Sequence, residues 1–329
     1  MKVARINRFG GPEVFEIVDI SIPKPNSGQV LVRVGAAGIN FAETLMRENR
    51  YAVTPELPAI LGTEVSGTVV GTGRDVNGVT IGTRVAAPLF GAGVFIGGYS
   101  EYVVADAALV VPLPDELSFE DSTALMVQGL TAQYLLKQAP VKGKTVLINA
   151  AAGGVGSLLV QLAKRVGAKM VIAAASSSQK TDFALSLGAD VGINYKQPGW
   201  GEEVLAVTGG SGPDVIYESV GGSITKESLG ILAPMGQVVI YGSLNIQEFN
   251  LGVPELLGLI FKNQSITGFA VAPLLTLESL RNSLAELFDL AVSHQLKVTI
   301  GGVYPLEQVT QAHQALEGRS TTGKLVLVP

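Results

Sequence analysis

The stretch Ala150–Lys180, AAAGGVGSLLVQLAKRVGAKMVIAAASSSQK, follows directly on the apolar run KTVLINA. Its opening, Ala151-Ala152-Gly153-Gly154-Val155-Gly156, is the dinucleotide fingerprint G-x-G-x-x-G with alanine at the first position. In that pattern one glycine lets the backbone approach a pyrophosphate and the last allows close packing of helix on strand, while the helix N-terminus offers free amides to the anion. Such a motif alone is weak; its place between an apolar strand and an amphipathic helix gives it weight. Val155, Leu158, Leu159, Leu162, Ala163 and Val166 recur at helical spacing and predict the stripe that packs this helix on a sheet.

The fingerprint ordinarily has an Asp or Glu about 20 residues on, which holds the ribose hydroxyls of NAD. Here the second strand runs out at Ala174-Ala175-Ser176-Ser177-Ser178, with Lys180 just beyond. A carboxylate would repel a 2′-phosphate, whereas small hydroxyls and a cation accept one. The pattern therefore predicts NADPH, with Ser176, Ser177 and Lys180 at the phosphate and Tyr195 of GINY covering the adenine end.

Outward from this stretch, strand-like and helix-like runs alternate from Lys144 to Val271. The six strands are KTVLINA, KMVIAAA, VGINY, DVIYESV, QVVIYGS and SITGFAV, separated by five helical crossovers. That count is a complete doubly wound Rossmann sheet of six parallel strands in an α/β protein. Before it, short Gly- and Pro-punctuated runs such as QVLVRV, SGTVVG, TRVAAPL and EYVVADAALVV read as a β-rich domain. One helix is predicted through SFEDSTALMVQGLTAQYLLKQ. After Ala272 the βα alternation stops, and LESLRNSLAELFDLAVSHQ, VYPLEQVTQAHQALEG and GKLVLVP are assigned back to the first domain. The boundaries are 1–125 with 273–329 for one domain and 126–272 for the other, and the cleft between domains is the expected site.

Composition narrows the function classes. With 329 residues, 47% of them hydrophobic and 16% charged, the chain is a folded two-domain protein. A net charge of -5 with scattered cations gives no field for nucleic acid or an anionic membrane. No run has the length of a signal or a membrane span, so a cytoplasmic location is expected. Cysteine is absent, which removes thiolate chemistry and every sulfur-ligated zinc site. The two histidines, His294 and His313, fall in helix-like stretches where an exposed or capping role is expected, and no metal is predicted.

Several ordered motifs carry a resemblance over the whole chain: FGGPEV at Phe9–Val14, GINFAETLMRENRY at Gly38–Tyr51, LGTEVSGTVVGTG at Leu61–Gly73, GGYSEY at Gly97–Tyr102, QGLTAQYLL at Gln128–Leu136, AAAGGVG, GINY, YESVG at Tyr217–Gly221 and GRSTTGKLVLVP at the end. In these the chain resembles the medium-chain dehydrogenase/reductase superfamily and, within it, the zinc-independent quinone oxidoreductases related to zeta-crystallin. The resemblance implies a GroES-like β-rich catalytic domain beside the Rossmann NADPH-binding domain. Zinc-dependent relatives place a ligand cysteine in the segment matching GINFAE and a histidine in a G-H-E motif; here Asn40 and Gly62-Thr63-Glu64 stand there.

What the resemblance implies residue by residue is as follows. Asn40, Tyr51 and Thr131 serve the reacting end, with Phe41, Glu43 and Gln128 beside the nicotinamide. Gly153, Gly154 and Val155 line the pyrophosphate, Ser219 the adenosine side, and Tyr241, Gly242 and Ser243 the end of the fifth strand. Phe269, Ala270 and Val271 lie near the carboxamide, and Arg319 reaches back to the cofactor. The expected activity is hydride transfer from NADPH to a quinone without zinc. The alternatives are an enone, alkenal or enoyl-thioester double-bond reductase, and a non-catalytic NADPH-binding sensor or structural protein. Relatives pair as homodimers through the sheet edge, and the apolar segment Leu251–Phe269 could supply one here.

Overall fold

The structure, a computed structural model, describes residues 1–93, 96–242, 244–245, 248 and 250–329. Two compact units divide the chain, Met1–Leu130 with Ala272–Pro329 and Thr131–Val271.

In the first unit the chain forms β1 (Lys2–Ile6), β2 (Phe15–Asp19), β3 (Gln29–Ile39), α1 (Phe41–Arg47), β4 (Ala59–Ile60), β5 (Val65–Thr72), β6 (Arg84–Ala87), β7 (Tyr102–Asp106), β8 (Val111–Pro112) and α2 (Phe119–Ala124). The second unit holds most of α3 (Leu130–Gln138), then β9 (Thr145–Asn149), α4 (Gly154–Arg165), β10 (Met170–Ala175), α5 (Ser178–Ser186), β11 (Val191–Asn194), α6 (Trp200–Val207), β12 (Val215–Glu218), α7 (Gly222–Gly230), β13 (Gln237–Ile240), α8 (Val253–Lys262) and β14 (Ser265–Gly268). The chain returns to the first unit as α9 (Leu277–Val292), β15 (Ile300–Pro305), α10 (Val309–Glu317) and β16 (Lys324–Val328).

The sheet of the second unit has the order β11-β10-β9-β12-β13-β14, all parallel, which makes the six expected strands a doubly wound sheet. Its central strands are apolar along their middles because helices cover both faces; Val146, Leu147, Ile172, Ile216 and Val238 are fully buried. Leu158, Leu159, Leu162 and Ala163 of α4 pack inward as the stripe requires. Val166 does not: it is the C-cap residue, past the last helical turn, and it faces solvent, while Val160 is buried in its place.

The first unit is β-rich. A sheet in the order β15-β16-β3-β5-β6-β8, with β7 also on β3, is mostly antiparallel, and a smaller sheet runs β2-β1-β4. The C-terminal strand enters it directly, β16 pairing antiparallel with β3. One core cluster joins Val30, Val32, Val65 and Val85 to Leu306, Val309, Leu325 and Leu327, so both ends of the chain are needed to close it.

The single helix expected through Ser118–Gln138 is interrupted. Leu125–Gly129 is a π-helical turn between α2 and α3. There the Val127 amide donates to Glu64 Oε2 at 2.6 Å, and a carboxylate that captures an amide in this way loosens the helical ladder locally.

Candidate active site

The turn from β9 into α4 is built for close approach. Ala150 takes a left-handed φ of 52°, a conformation costing a non-glycine residue about 1 kcal/mol, before Gly153 forms the N-cap of α4. A Cβ on Gly156 would meet Ala150 O at 2.4 Å and Ala151 Cα at 2.7 Å, so glycine there is what lets the helix lie against the strand. The first-turn amides of Gly154, Val155 and Gly156 have no partner within the helix, by helix geometry, and point where an anion would sit.

Beyond the carboxyl end of β10, Ser176 and Ser177 are half-buried, and Ser177 is the N-cap of α5, its Oγ accepting from Lys180 N at 3.4 Å. Lys180 is itself half-buried, and burial lowers its ammonium pKa. Tyr195 adjoins the same strand end, its amide donating to Ala175 O at 3.0 Å. Two serine hydroxyls, one cation and one ring are thus gathered at this end of the sheet, with no carboxylate on β10.

Two strands away, on the far side of β9, a strand end carries a carboxylate that is committed elsewhere. Glu218, closing β12, is buried and accepts from Val220 N and Gly221 N, both at 2.6 Å, and from Asn149 Nδ2. Burial raises its pKa against these bonds. Its work is to fix the turn into α7, where Gly221 has φ 84°. Next to it Ser219 hydrogen-bonds the Tyr241 side chain, whose pKa burial pushes up, and a Cβ on Gly242 would meet Ser219 Cβ at 2.6 Å. Ser219, Tyr241 and Gly242 therefore form one cluster; Ser243 lies outside the described residues. Phe269 follows β14, its amide bonded to Ile240 O at 2.9 Å, with Phe269 and Val271 half-buried and Ala270 exposed.

In the first unit, Asn40 stands at the N-cap of α1. Glu43 Oε2 accepts from Asn40 N at 2.8 Å, and Glu43 Oε1 accepts from Thr63 N at 3.1 Å and Thr63 Oγ1 at 2.7 Å. Both oxygens of Glu43 are thus engaged and the side chain is fully buried. Burial raises its pKa, opposed by the Lys324 charge. Phe41 and Tyr51, at either end of the α1 segment, are half-buried; burial, then the Glu43 charge, raises the Tyr51 pKa. Gln128 sits on the π turn with its Oε1 buried and, among the described residues, without a hydrogen-bond donor. A buried acceptor of this kind suits an amide or hydroxyl of a bound molecule. Thr131, on α3, is nearly buried, and Arg319 is exposed with φ 51° just after α10.

Three buried groups escaped the sequence reading. Lys324 opens β16 and contacts Asn40 and Glu64. Arg47 and His313 are also fully buried, so His313 is a core residue and neither exposed nor a cap. The signal for Lys324 was present, as a lone cation heading the apolar run LVLV; a charge among core residues is retained only when paired.

Comparison with known proteins bears on this arrangement. The alcohol dehydrogenase GroES-like domain matches residues 26–115, and the family described as zinc-binding dehydrogenase matches residues 154–292. A quinone oxidoreductase of Pseudomonas aeruginosa is 36% identical over 326 residues, covering 98% of this chain and 97% of its own. The chain belongs to the quinone oxidoreductase family. Within the medium-chain dehydrogenase/reductase superfamily, this family member also resembles a 2-haloacrylate reductase of a Burkholderia species, at 35% identity over 99% of this chain and 98% of the relative. The crystal structure of Escherichia coli quinone oxidoreductase complexed with NADPH superimposes with a TM-score of 0.91 at 34% identity, each chain covered completely. Although one matching family is described as zinc-binding, no group of three or more His, Cys, Asp or Glu among the described residues of this quinone oxidoreductase family member could hold a metal ion.

Proposed function

We infer that the protein is an NADPH-dependent quinone oxidoreductase. What supports this is the end of β10, which carries Ser176, Ser177 and Lys180 and no carboxylate, in a chain that matches quinone oxidoreductases along nearly its whole length. The residues present suit the cofactor: Gly156 lets α4 lie close against β9, so that the helix N-terminus stands at the strand end, and Gln128 Oε1 is a buried acceptor in want of a donor. NADPH supplies the hydride.

The protein's own groups hold and orient. The first turn of α4, with Gly153, Gly154 and Val155, binds the pyrophosphate through amides and dipole. Ser176, Ser177 and Lys180 take the 2′-phosphate and Tyr195 covers the adenine, with Ser219, Tyr241 and Gly242 along the adenosine side. We assign Asn40, Tyr51 and Thr131 to the acceptor, as donors to the oxygen on which charge develops. Phe269, Ala270 and Val271 are assigned to the nicotinamide carboxamide, and Arg319 to the cofactor. Residues 1–125 with 273–329 are the proposed catalytic domain and 126–272 the cofactor domain. A quinone is already electrophilic, so no strong acid is required and the product takes its proton from solvent.

A second reading, reduction of an activated double bond, is favoured by the similarity to the 2-haloacrylate reductase. NADPH oxidation followed by absorbance, with a simple quinone, an alkenal and a short enoyl thioester in parallel, separates the two. Turnover led by the quinone supports the first reading; preference for an unsaturated carbonyl supports the second; silence on all three leaves only a cofactor-binding role.

We further propose a homodimer through the edge of the parallel sheet. β14 is the outermost strand, and α8 beside it exposes Val253, Leu256, Leu257, Ile260 and Phe261. An apolar row of this size next to an open strand edge is what a second copy would cover.

A further inference from the structure

Lys324 is fully buried at the head of β16, followed by buried Leu325, Val326 and Leu327. An ammonium in such surroundings is costly unless its donors are all used. Its Nζ donates to Glu64 Oε1 at 2.5 Å and to Asn40 Oδ1 at 2.6 Å. An ammonium can only donate, so the Asn40 atom facing it is oxygen; a carboxylate can only accept, so the atom 2.8 Å from Glu64 Oε1 is Asn40 Nδ2. The amide is thereby oriented from both sides. Glu64 uses its other oxygen on the Val127 amide, in the turn that carries Gln128.

An asparagine at an N-cap ordinarily turns its side-chain oxygen onto the helix amides. Here the Glu43 amide bonds the Asn40 backbone carbonyl at 3.2 Å, and the Asn40 side-chain oxygen accepts from Lys324. We propose that Lys324 is a positioning residue for the reacting end of the site, setting the Asn40 amide directly and the Gln128 turn through Glu64. The inference rests on the quinone oxidoreductase reading, in which Asn40 and Gln128 take part. The competing explanation is that the Lys324–Glu64 pair only balances charge inside the unit.

The test compares wild type, Lys324→Met and the charge-matched double variant Glu64→Gln/Lys324→Met. Four quantities are read: kcat and KM for a quinone, the NADPH dissociation constant, the urea midpoint, and the side-chain NH2 signals of Asn40 in a 1H–15N spectrum, identified by their loss in Asn40→Asp. For Lys324→Met we expect kcat to fall at least tenfold, NADPH affinity to stay within twofold, and the Asn40 signals to leave their wild-type position. In the double variant the urea midpoint recovers but kcat and the Asn40 signals do not. Recovery of kcat together with stability would assign the pair to charge balance and overturn the proposal. Unmoved Asn40 signals in Lys324→Met would overturn it equally. If Lys324→Met does not fold, the double variant carries the comparison. If wild type reduces no quinone, the functional reading fails, and the Asn40 signals alone decide the role of Lys324.

Discussion

Arg47 Nη1 lies 3.0 Å from His313 Nδ1, and both side chains are fully buried. A guanidinium cannot accept, so Nδ1 is the acceptor and the imidazole proton is on Nε2, 3.2 Å from the Tyr99 hydroxyl. Arg47 also reaches Gly10 O at 2.9 Å and Glu317 at 2.6 Å. The C-terminal end of α1 is therefore tied to α10 and to the Gly10 turn, and this bond network fixes the helix that begins at Asn40.

Burial first, and the Arg47 charge second, push the His313 pKa down to about 3. The unfolded chain binds a proton near pH 6.5, the native state does not, so this residue makes stability fall as pH drops from about 6.5 towards 3. The slope from one such group reaches at most about 1.4 kcal/mol per pH unit. Glu43, raised by burial, acts in the opposite sense at acid pH, so the comparison must be with a variant. Urea midpoints between pH 4.5 and 7.5 should show a shallower pH dependence for His313→Gln than for wild type; equal slopes would contradict the neutral buried imidazole.

Lys180→Ala should weaken NADPH and spare NADH. A charge-assisted bond to a phosphate is worth about 1.5–3 kcal/mol, or about ten- to a hundredfold in affinity. Fluorescence titration with the two cofactors measures it, and an equal loss for both would place Lys180 away from the 2′-phosphate.

Gly156→Ala should disrupt cofactor binding more than it disrupts the fold. The added Cβ meets backbone atoms of Ala150 and Ala151, which cannot rotate away, so α4 must move off β9. Overpacking of this kind costs about 1–3 kcal/mol. A variant with wild-type NADPH affinity by titration would show that the helix N-terminus is not at the pyrophosphate.

Ile260→Glu/Phe261→Glu should yield monomers with unchanged circular dichroism, since Phe261 is 80% exposed and Ile260 67% exposed in the isolated chain. Light scattering on wild type and variant gives the answer; a wild type already monomeric at working concentration removes the dimer.

Much of the fold was legible because its signals are local. Each of the six parallel strands is a short apolar run, the crossovers carry helical periodicity, and the glycines mark the one tight strand-to-helix turn. The π turn at Leu125–Gly129 was not legible, because its cause is Glu64, some sixty residues away in sequence. Val166 misled for the reverse reason: its spacing fits the stripe, but the helix ends one residue earlier.

The same division runs through the site. The proposed cofactor end draws on residues close in sequence, Gly153 to Gly156 and then Ser176, Ser177 and Lys180, which the structure places at the ends of β9 and β10. Glu43, Glu64, Arg47, His313 and Lys324 were not, because whether a charged side chain is solvated or buried depends on partners brought from distant elements. The sequence by itself determined the doubly wound class of the six-stranded parallel sheet, the absence of thiolate ligands and NADPH as the cofactor to expect, all carried by residue type and short-range spacing. Only the tertiary structure decided which way the Asn40 amide faces, since that follows from β16 returning to β3 and bringing Lys324 to it from the far end of the chain.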